Sequence, residues 1–188
     1  SPEAPDPDPP ADPDAPPPFA PPEGTRVFRE DWLATGELAE RLPFPFSLDP
    51  LLEVGYESID GHALLAEDAE RERAYCAATF FRRGEDEDRP TELATVRAGN
   101  YLNRNMARRR VLTAEAGEEL TIGDRAARFL DRRTLWEEHA SGIDPSQAPR
   151  EISWEADGVF WFLTGVNVER SALTQLASDL IGKSAPRP

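Results

Sequence analysis

The stretch that decides the fold is Glu151-Ile-Ser-Trp-Glu-Ala-Asp-Gly-Val-Phe-Trp-Phe-Leu-Thr-Gly165. Its two halves predict strands over 151–155 and 159–164, with a tight Ala-Asp-Gly turn between them. Because strand side chains alternate between faces, Phe160 and Phe162 point to one face and Trp161 to the other. Aromatic residues on both faces predict a sheet covered on both sides, one by a helix and the other by a loop or a ligand. A filled core and an open apolar pocket both fit this pattern.

The residues that follow predict the best helix in the chain, over 168–181. Ser171 or Asn167 can cap its start, and Gly182 ends it. Apolar residues recur at spacings of three and four, which is typical of a helix packed on a sheet. They are Leu173, Leu176, Ala177, Leu180 and Ile181.

Upstream, alternating apolar residues separated by turn residues predict further antiparallel strands. One hairpin is predicted around Gly123-Asp124 and another around the acidic loop 84–90. A third is predicted around Asp60-Gly61, between the run Val54, Tyr56, Ile59 and the strand 62–66. The remaining predicted strands are 73–82, 91–97, 119–122 and 125–130.

The other elements are shorter. The apolar spacing over 30–42 predicts a helix that ends at Pro43. Leu112-Thr113 predicts a short strand, and 134–150 a long loop. Seven or eight strands with one helix before and one after them predict an α+β fold, in which an antiparallel sheet carries an N-terminal helix and a packed C-terminal helix.

The first 22 residues differ in composition from the rest of the chain. They hold eleven prolines and five acidic residues, and no basic residue. Such a segment cannot bury enough apolar surface to offset its ordering entropy, so we expect an extended, disordered stalk or linker of up to roughly 70 Å. A stalk, together with Ser1 in place of Met, leads us to expect a membrane or lipid anchor upstream. Residues 23–188 are expected to form one globular domain.

The overall charge excludes some functions. A formal net charge of -15 over 188 residues repels phosphate backbones, so no nucleic-acid partner is expected. No apolar run approaches the roughly 20 residues that span a bilayer. Cys76, the single cysteine, rules out an intramolecular disulfide framework.

No motif in the chain predicts catalysis, a cofactor or a metal. Nucleophile elbows, glycine-rich phosphate loops and paired-histidine zinc motifs do not occur. His62 and His139 are the only histidines, and both are interpreted as surface residues. The acidic run 85–88 is interpreted as a solvated hairpin tip rather than a calcium loop. The chain is therefore expected to be non-enzymatic.

Two sets of residues are candidates for binding. The first is an apolar groove, predicted from phenylalanines on several elements: Phe44, Phe46, Phe80, Phe160 and Phe162. The second is a basic patch that could dock an acidic partner or lipid headgroups, although pairing with the chain's own acids is the simpler interpretation. It consists of Arg104, Arg108, Arg109 and Arg110.

Residues 119–182 also resemble the C-terminal pattern of an extracytoplasmic family of unknown function, attached to anti-sigma-factor-like membrane proteins and to lipoproteins in Gram-positive bacteria. The matching pairs are Gly123 with Ala126 and Trp154 with Gly158. The final helix matches at Leu173, Leu176, Ala177, Ser178 and Leu180. This resemblance implies a half-barrel like that of lipoprotein carriers, a curved sheet wrapped on helices, and it brings no catalytic residues.

These observations predict a non-enzymatic, extracytoplasmic binding or sensor domain, tethered to the membrane through the proline-rich stalk. The expected partner is a protein or another component of the cell envelope. The alternative is a lipid- or lipoprotein-handling carrier module with an apolar cavity. The concave face of the sheet is expected to be filled mainly by the chain's own helix and loops, which leaves a shallow groove.

Overall fold

A computed structural model describes residues 29–68, 71–84, 90–132 and 148–184. Its centre is a curved, open antiparallel sheet with the strand order β1-β3-β4-β5-β9-β8-β7-β6, with β2 paired to β4 outside this order. The strands are β1 Arg29–Ala34, β2 Glu57–Ser58, β3 His62–Asp68, β4 Arg73–Arg82, β5 Glu92–Gly99, β6 Glu118–Ile122, β7 Arg125–Asp131, β8 Arg150–Ala156 and β9 Val159–Val166. The helices are α1 Leu38–Arg41, α2 Asp49–Glu53, α3 Arg104–Ala116 and α4 Arg170–Lys183.

The main core lies on one face of the sheet, called here the main face. Strand residues such as Cys76, Val96 and Leu163 point to it and are fully buried. Helices α1, α2 and α4 cover this face through apolar side chains of the same cluster. The stripe predicted for the C-terminal helix is its buried side, with Leu173, Leu176, Ala177 and Leu180 all buried.

The other face of the sheet, called here the α3 face, carries a smaller apolar cluster. Met106 of α3 is fully buried there against Tyr75 of β4 and Phe162 of β9. Strand alternation thus divides the aromatic residues of β9 as predicted, because Trp161 packs in the main core. Both faces are covered by helices of this chain.

Most predicted strands and the fold class are confirmed. The strand predicted over 73–82 is β4, and those on either side of Gly123-Asp124 are β6 and β7. The decisive stretch forms the β8–β9 hairpin, with Trp154 opposite Trp161. Residues 1–22, the acidic run 85–88, His139 and most of the loop predicted over 134–150 lie outside the described residues.

The helix predicted over 30–42 is wrong in its first part. Residues 29–34 form β1, which pairs with β3 so that Trp32 lies opposite Leu64 and Leu33 opposite Ala63. Apolar neighbours at 32 and 33 fit a helix face, but they also suit a strand that alternates between the two faces. Pairing with β3 decides between the two, and the N-terminal helix is reduced to the four residues of α1.

The hairpin predicted before His62 is also wrong. The residues before Tyr56 form α2, which has a proline in its first turn. The chain turns out of this helix at Gly55, whose φ is 90°. The short strand β2 pairs with β4 rather than with β3. Asp60 and Gly61 belong to a short 3₁₀ helix instead of a two-residue turn.

The strand predicted at Leu112-Thr113 is wrong, because both residues lie within α3. Asn103 caps this helix, since its side-chain oxygen accepts a hydrogen bond of 2.8 Å from the backbone N–H of Met106. Only Met106 and Thr113 are buried along α3. With four arginines and a glutamate among its other positions, the helix shows almost no apolar periodicity in the sequence.

Candidate functional site

Helix α3 crosses the α3 face of the sheet and is held at both ends. At its start Asn103 caps the helix, and Met106 packs on β4 and β9. At its end Gly117 lies so close to Thr113 and to strand β7 that a Cβ there would be 3.2 Å from the Phe129 carbonyl oxygen. These anchors leave an open cleft between one side of the helix and the last four strands of the sheet.

The cleft has a volume of about 530 Å³. Its apolar lining includes Phe160 and Phe162 of β9, and Ser153 of β8 lines its floor. The other polar side chains of its wall are Arg110 and Thr113 from α3, Glu119 and Thr121 from β6, Arg128 from β7 and Glu155 from β8. The volume and the mixed lining are typical of a binding site for a small molecule or a short peptide segment.

Two ion pairs fix the charged groups of this wall. The Arg110 guanidinium lies 3.5 Å from Glu155 and 4.9 Å from the centre of the Phe160 ring. Arg128 donates a hydrogen bond of 2.7 Å to Glu119 and one of 3.3 Å to the Gly117 carbonyl. Both pairs are partly exposed, so a ligand could compete for them at small cost.

The phenylalanines predicted to line one groove lie on opposite faces of the sheet. Phe160 and Phe162 line the cleft on the α3 face. Phe44, Phe46 and Phe80 belong to the main core. There the Phe46 ring is buried and stacks on Trp161 at 5.4 Å between ring centres, on the face opposite to the cleft. The predicted single groove is therefore corrected to two phenylalanines at one cleft.

The predicted basic patch also divides. Arg104 and Arg108 are exposed on α3, and Arg110 stands at the cleft. Arg109 points instead into the protein, where its guanidinium binds the fully buried carboxylate of Glu151. The patch thus loses Arg109 as a docking residue, because a buried ion pair holds that side chain.

Sequence reasoning missed the buried charges around Glu151. Glu151 lies on the α3 face of β8, and Arg109, Arg132 and Arg97 surround it. The alternation of Glu151, Ser153 and Glu155 with Ile152 and Trp154 was a usable signal. It placed three polar residues on the same face as Phe162, which indicates a polar site rather than an apolar pocket.

Two further residues with chemically active side chains lie in the described part of the chain outside these sites. His62 is exposed, and Cys76 is fully buried in the main core. Burial raises the pKa of the Cys76 thiol to about 12, which leaves it unreactive at neutral pH. Within the described ranges, no group of three or more His, Cys, Asp or Glu side chains could hold a metal ion. Nor does any helix in this part of the chain have the length and apolarity needed to cross a membrane.

Comparisons with protein-family models, with curated proteins and with solved structures found no match for this chain.

Proposed function

We propose that this chain is a non-enzymatic binding domain that holds a peptide segment of a partner protein in the cleft between α3 and the sheet. The observation that carries this proposal is the wall of the cleft, which combines Phe160 and Phe162 with hydroxyl groups and two ion pairs. A peptide matches such a wall because it presents apolar side chains beside backbone donors and acceptors.

The position of the cleft at one end of the sheet favours an extended peptide. Glu119 and Thr121 of β6 belong to its wall, and among the described residues β6 pairs only with β7. The outer edge of β6 can therefore offer backbone N–H and C=O groups to another strand. Addition of a peptide strand at such an edge provides affinity through main-chain hydrogen bonds, while adjacent pockets select side chains.

We also propose that the domain works outside the cytoplasm, tethered to the membrane through the proline-rich segment 1–22. The acidic, proline-rich composition of that segment suits a spacer, and the resemblance of residues 119–182 to extracytoplasmic domains supports the same location. Protease added to intact cells that express the full gene product tests this. Digestion of the domain in intact cells is expected, whereas protection until the cells are lysed would contradict the location.

A selection from a displayed peptide library tests the binding function. We expect peptides that bind the wild-type domain and lose at least tenfold in affinity with Phe160→Ser. The matched control is Phe81→Ser, because Phe81 is also a half-buried phenylalanine on the α3 face but does not line the cleft. Selected peptides that bind both variants as well as they bind the wild type would overturn the proposal.

A lipid- or lipoprotein-handling carrier is the second candidate. The volume of the cleft and the two phenylalanines in its wall favour it. The four charged side chains of the same wall disfavour it, because an acyl chain cannot replace their water contacts. A fluorescent fatty acid titrated into the domain separates the candidates. Saturable binding at low micromolar concentration that is lost in Phe160→Ser would favour the carrier.

A further inference from the structure

A second polar site lies on the α3 face, and none of its residues lines the cleft. Its centre is Glu151, whose side chain is 0% exposed. Three arginines from separate elements approach this carboxylate: Arg97 from β5, Arg109 from α3 and Arg132 directly after β7. Four elements of the fold therefore bring charged groups to one place in the interior.

The contacts within this cluster hold the carboxylate through one of its oxygens. Oε2 of Glu151 accepts hydrogen bonds from Nη1 of Arg109 and, at 3.0 Å, from the hydroxyl of Thr164. Nη2 of Arg132 lies 4.0 Å from the same oxygen. Arg97 lies near the Tyr75 hydroxyl instead, and no salt bridge holds it in the part of the chain that the structure describes.

The charges of the cluster do not balance. Three guanidinium groups face one carboxylate, which leaves two positive charges that no acidic side chain of the described residues pairs with. The Arg109 and Arg132 side chains are only 15% and 19% exposed. Desolvation together with the nearby Arg109 charge lowers the pKa of Arg97, and desolvation is also the largest cause of the lowered pKa of Arg132. Burying unpaired charge is costly, so such a cluster is suited to an anion that supplies the missing negative charge.

The hydrogen-bonding groups of the cluster are also incomplete. Within the cluster, three buried arginine nitrogens have no acceptor among the described residues: Nη1 of Arg97, Nε of Arg109 and Nε of Arg132. On the acceptor side, Oε1 of Glu151 is buried without a donor. Unmet buried groups of this kind destabilise the fold, and charged ones do so most, unless a ligand or water completes their hydrogen bonds.

We propose that Arg97, Arg109, Arg132 and Glu151 form a binding site for free monohydrogen phosphate. This anion carries two negative charges, which match the two uncompensated positive charges. Its three unprotonated oxygens accept hydrogen bonds from the guanidinium N–H groups, whose planar arrangement suits phosphate-like oxyanions. Its single hydroxyl donates to Oε1 of Glu151, and sulfate, which has no hydroxyl, leaves that buried acceptor unsatisfied. The site is thus selective for phosphate over sulfate.

Calorimetric titration of the whole chain at pH 8 and constant ionic strength tests the proposal. Inorganic phosphate is expected to bind saturably with a stoichiometry of one, and sulfate at least tenfold more weakly. Glycerol phosphate is also expected to bind more weakly, because the mostly buried arginines leave little room for a substituent. Absence of saturable phosphate binding, or equal affinities for phosphate and sulfate, would overturn the proposal.

Two variants localise the site. Arg132→Gln is expected to weaken phosphate binding at least tenfold, while Arg108→Gln, which removes the same charge from the exposed side of α3, leaves it unchanged. An equal loss in both variants would show that phosphate responds only to overall charge. Phe160 lies at the cleft and not in this cluster, so the Phe160→Ser variant should bind phosphate as the wild type does. The phosphate proposal can therefore hold even if the peptide proposal fails.

Thermal unfolding of the wild-type chain gives a second readout that does not depend on the variants folding. Phosphate at about 100 times its Kd is expected to raise Tm by several degrees. At higher concentrations Tm should increase with the logarithm of the phosphate concentration. Salting-out also raises Tm, but it does so to the same extent with phosphate and with sulfate. A Tm that responds identically to both anions would contradict the site.

Discussion

Two glutamates on one face of β8 show how position decides the role of a charge. Glu151 and Glu155 both point to the α3 face, and each meets an arginine of α3. Glu151 is fully buried in the middle of the sheet, whereas the Glu155 side chain is half exposed near the hairpin turn. The first holds the interior of the fold together, and the second belongs to the wall of the cleft.

Replacing each glutamate by glutamine separates these roles. Glu151→Gln leaves Arg109 and Arg132 buried without their counter-charge, so it should lower the free energy of unfolding by about 3–5 kcal/mol. Glu155→Gln breaks only an exposed pair and should cost less than about 1 kcal/mol. Urea denaturation in phosphate-free buffer at pH 7 measures both. Similar losses in the two variants would show that Glu151 is not the buried anchor described here.

At the scale of elements, three of the four predicted hairpins are confirmed, and the helices were predicted unevenly. Strands β4 to β9 alternate apolar and polar residues between turn residues, and this local signal predicts both the strand and its partner. The C-terminal helix has a clear apolar stripe. Helix α3 has none, because its buried contacts with the sheet are made by one methionine, one threonine and the charged head of Arg109.

Missing α3 also concealed the candidate site. The cleft and the Glu151 cluster lie on either side of this helix, so neither could be assembled from strands alone. The phenylalanines at 160 and 162 were predicted on the correct common face. Phe44, Phe46 and Phe80 lie on the opposite face, in the main core. Their position depends on how distant segments pack on the sheet, and a local sequence pattern does not contain that information.

The end of α3 provides a test of how tightly the helix is held. A Cβ at Gly117 would lie 2.3 Å from the Thr113 carbonyl oxygen, so Gly117→Ala must shift the backbone of α3 or of β7. We expect a loss of about 1–3 kcal/mol in unfolding free energy and faster amide exchange along α3. The control is Gly36→Ala, because a Cβ there meets nothing within 4 Å and its stability should stay within about 0.5 kcal/mol. No difference between the two variants in thermal unfolding and hydrogen exchange would contradict this close packing.

At the scale of the whole molecule, the sheet separates a structural side from a binding side. The main face is closed by α1, α2 and α4 over an apolar core. The α3 face is only partly closed, and the cleft and the buried charges share it. Helices of this chain lie on both faces, and a cleft of about 530 Å³ stays open on the α3 face.

The segment 1–22 is predicted to act as a spacer and not to contribute to the stability of the domain. Its eleven prolines and five acidic residues provide almost no apolar surface to bury. Deleting it should leave Tm unchanged within error in thermal unfolding monitored by circular dichroism. A decrease of several degrees would mean that the segment docks on the domain, and Phe19→Ser in the full chain would then show whether its one aromatic residue is the contact.

The most direct test of the binding side uses the reactivity of a thiol placed in the cleft. Cys76 is fully buried with a raised pKa, so the wild-type chain should not react with N-ethylmaleimide at pH 7 and serves as its own control. Ser153 is half-buried at the floor of the cleft, and Ser153→Cys should react in the folded protein. The adduct should also abolish binding of the peptides selected on the wild-type domain. A thiol at 153 as protected as Cys76, or a labelled protein that binds those peptides unchanged, would contradict the assignment of the cleft as the binding site.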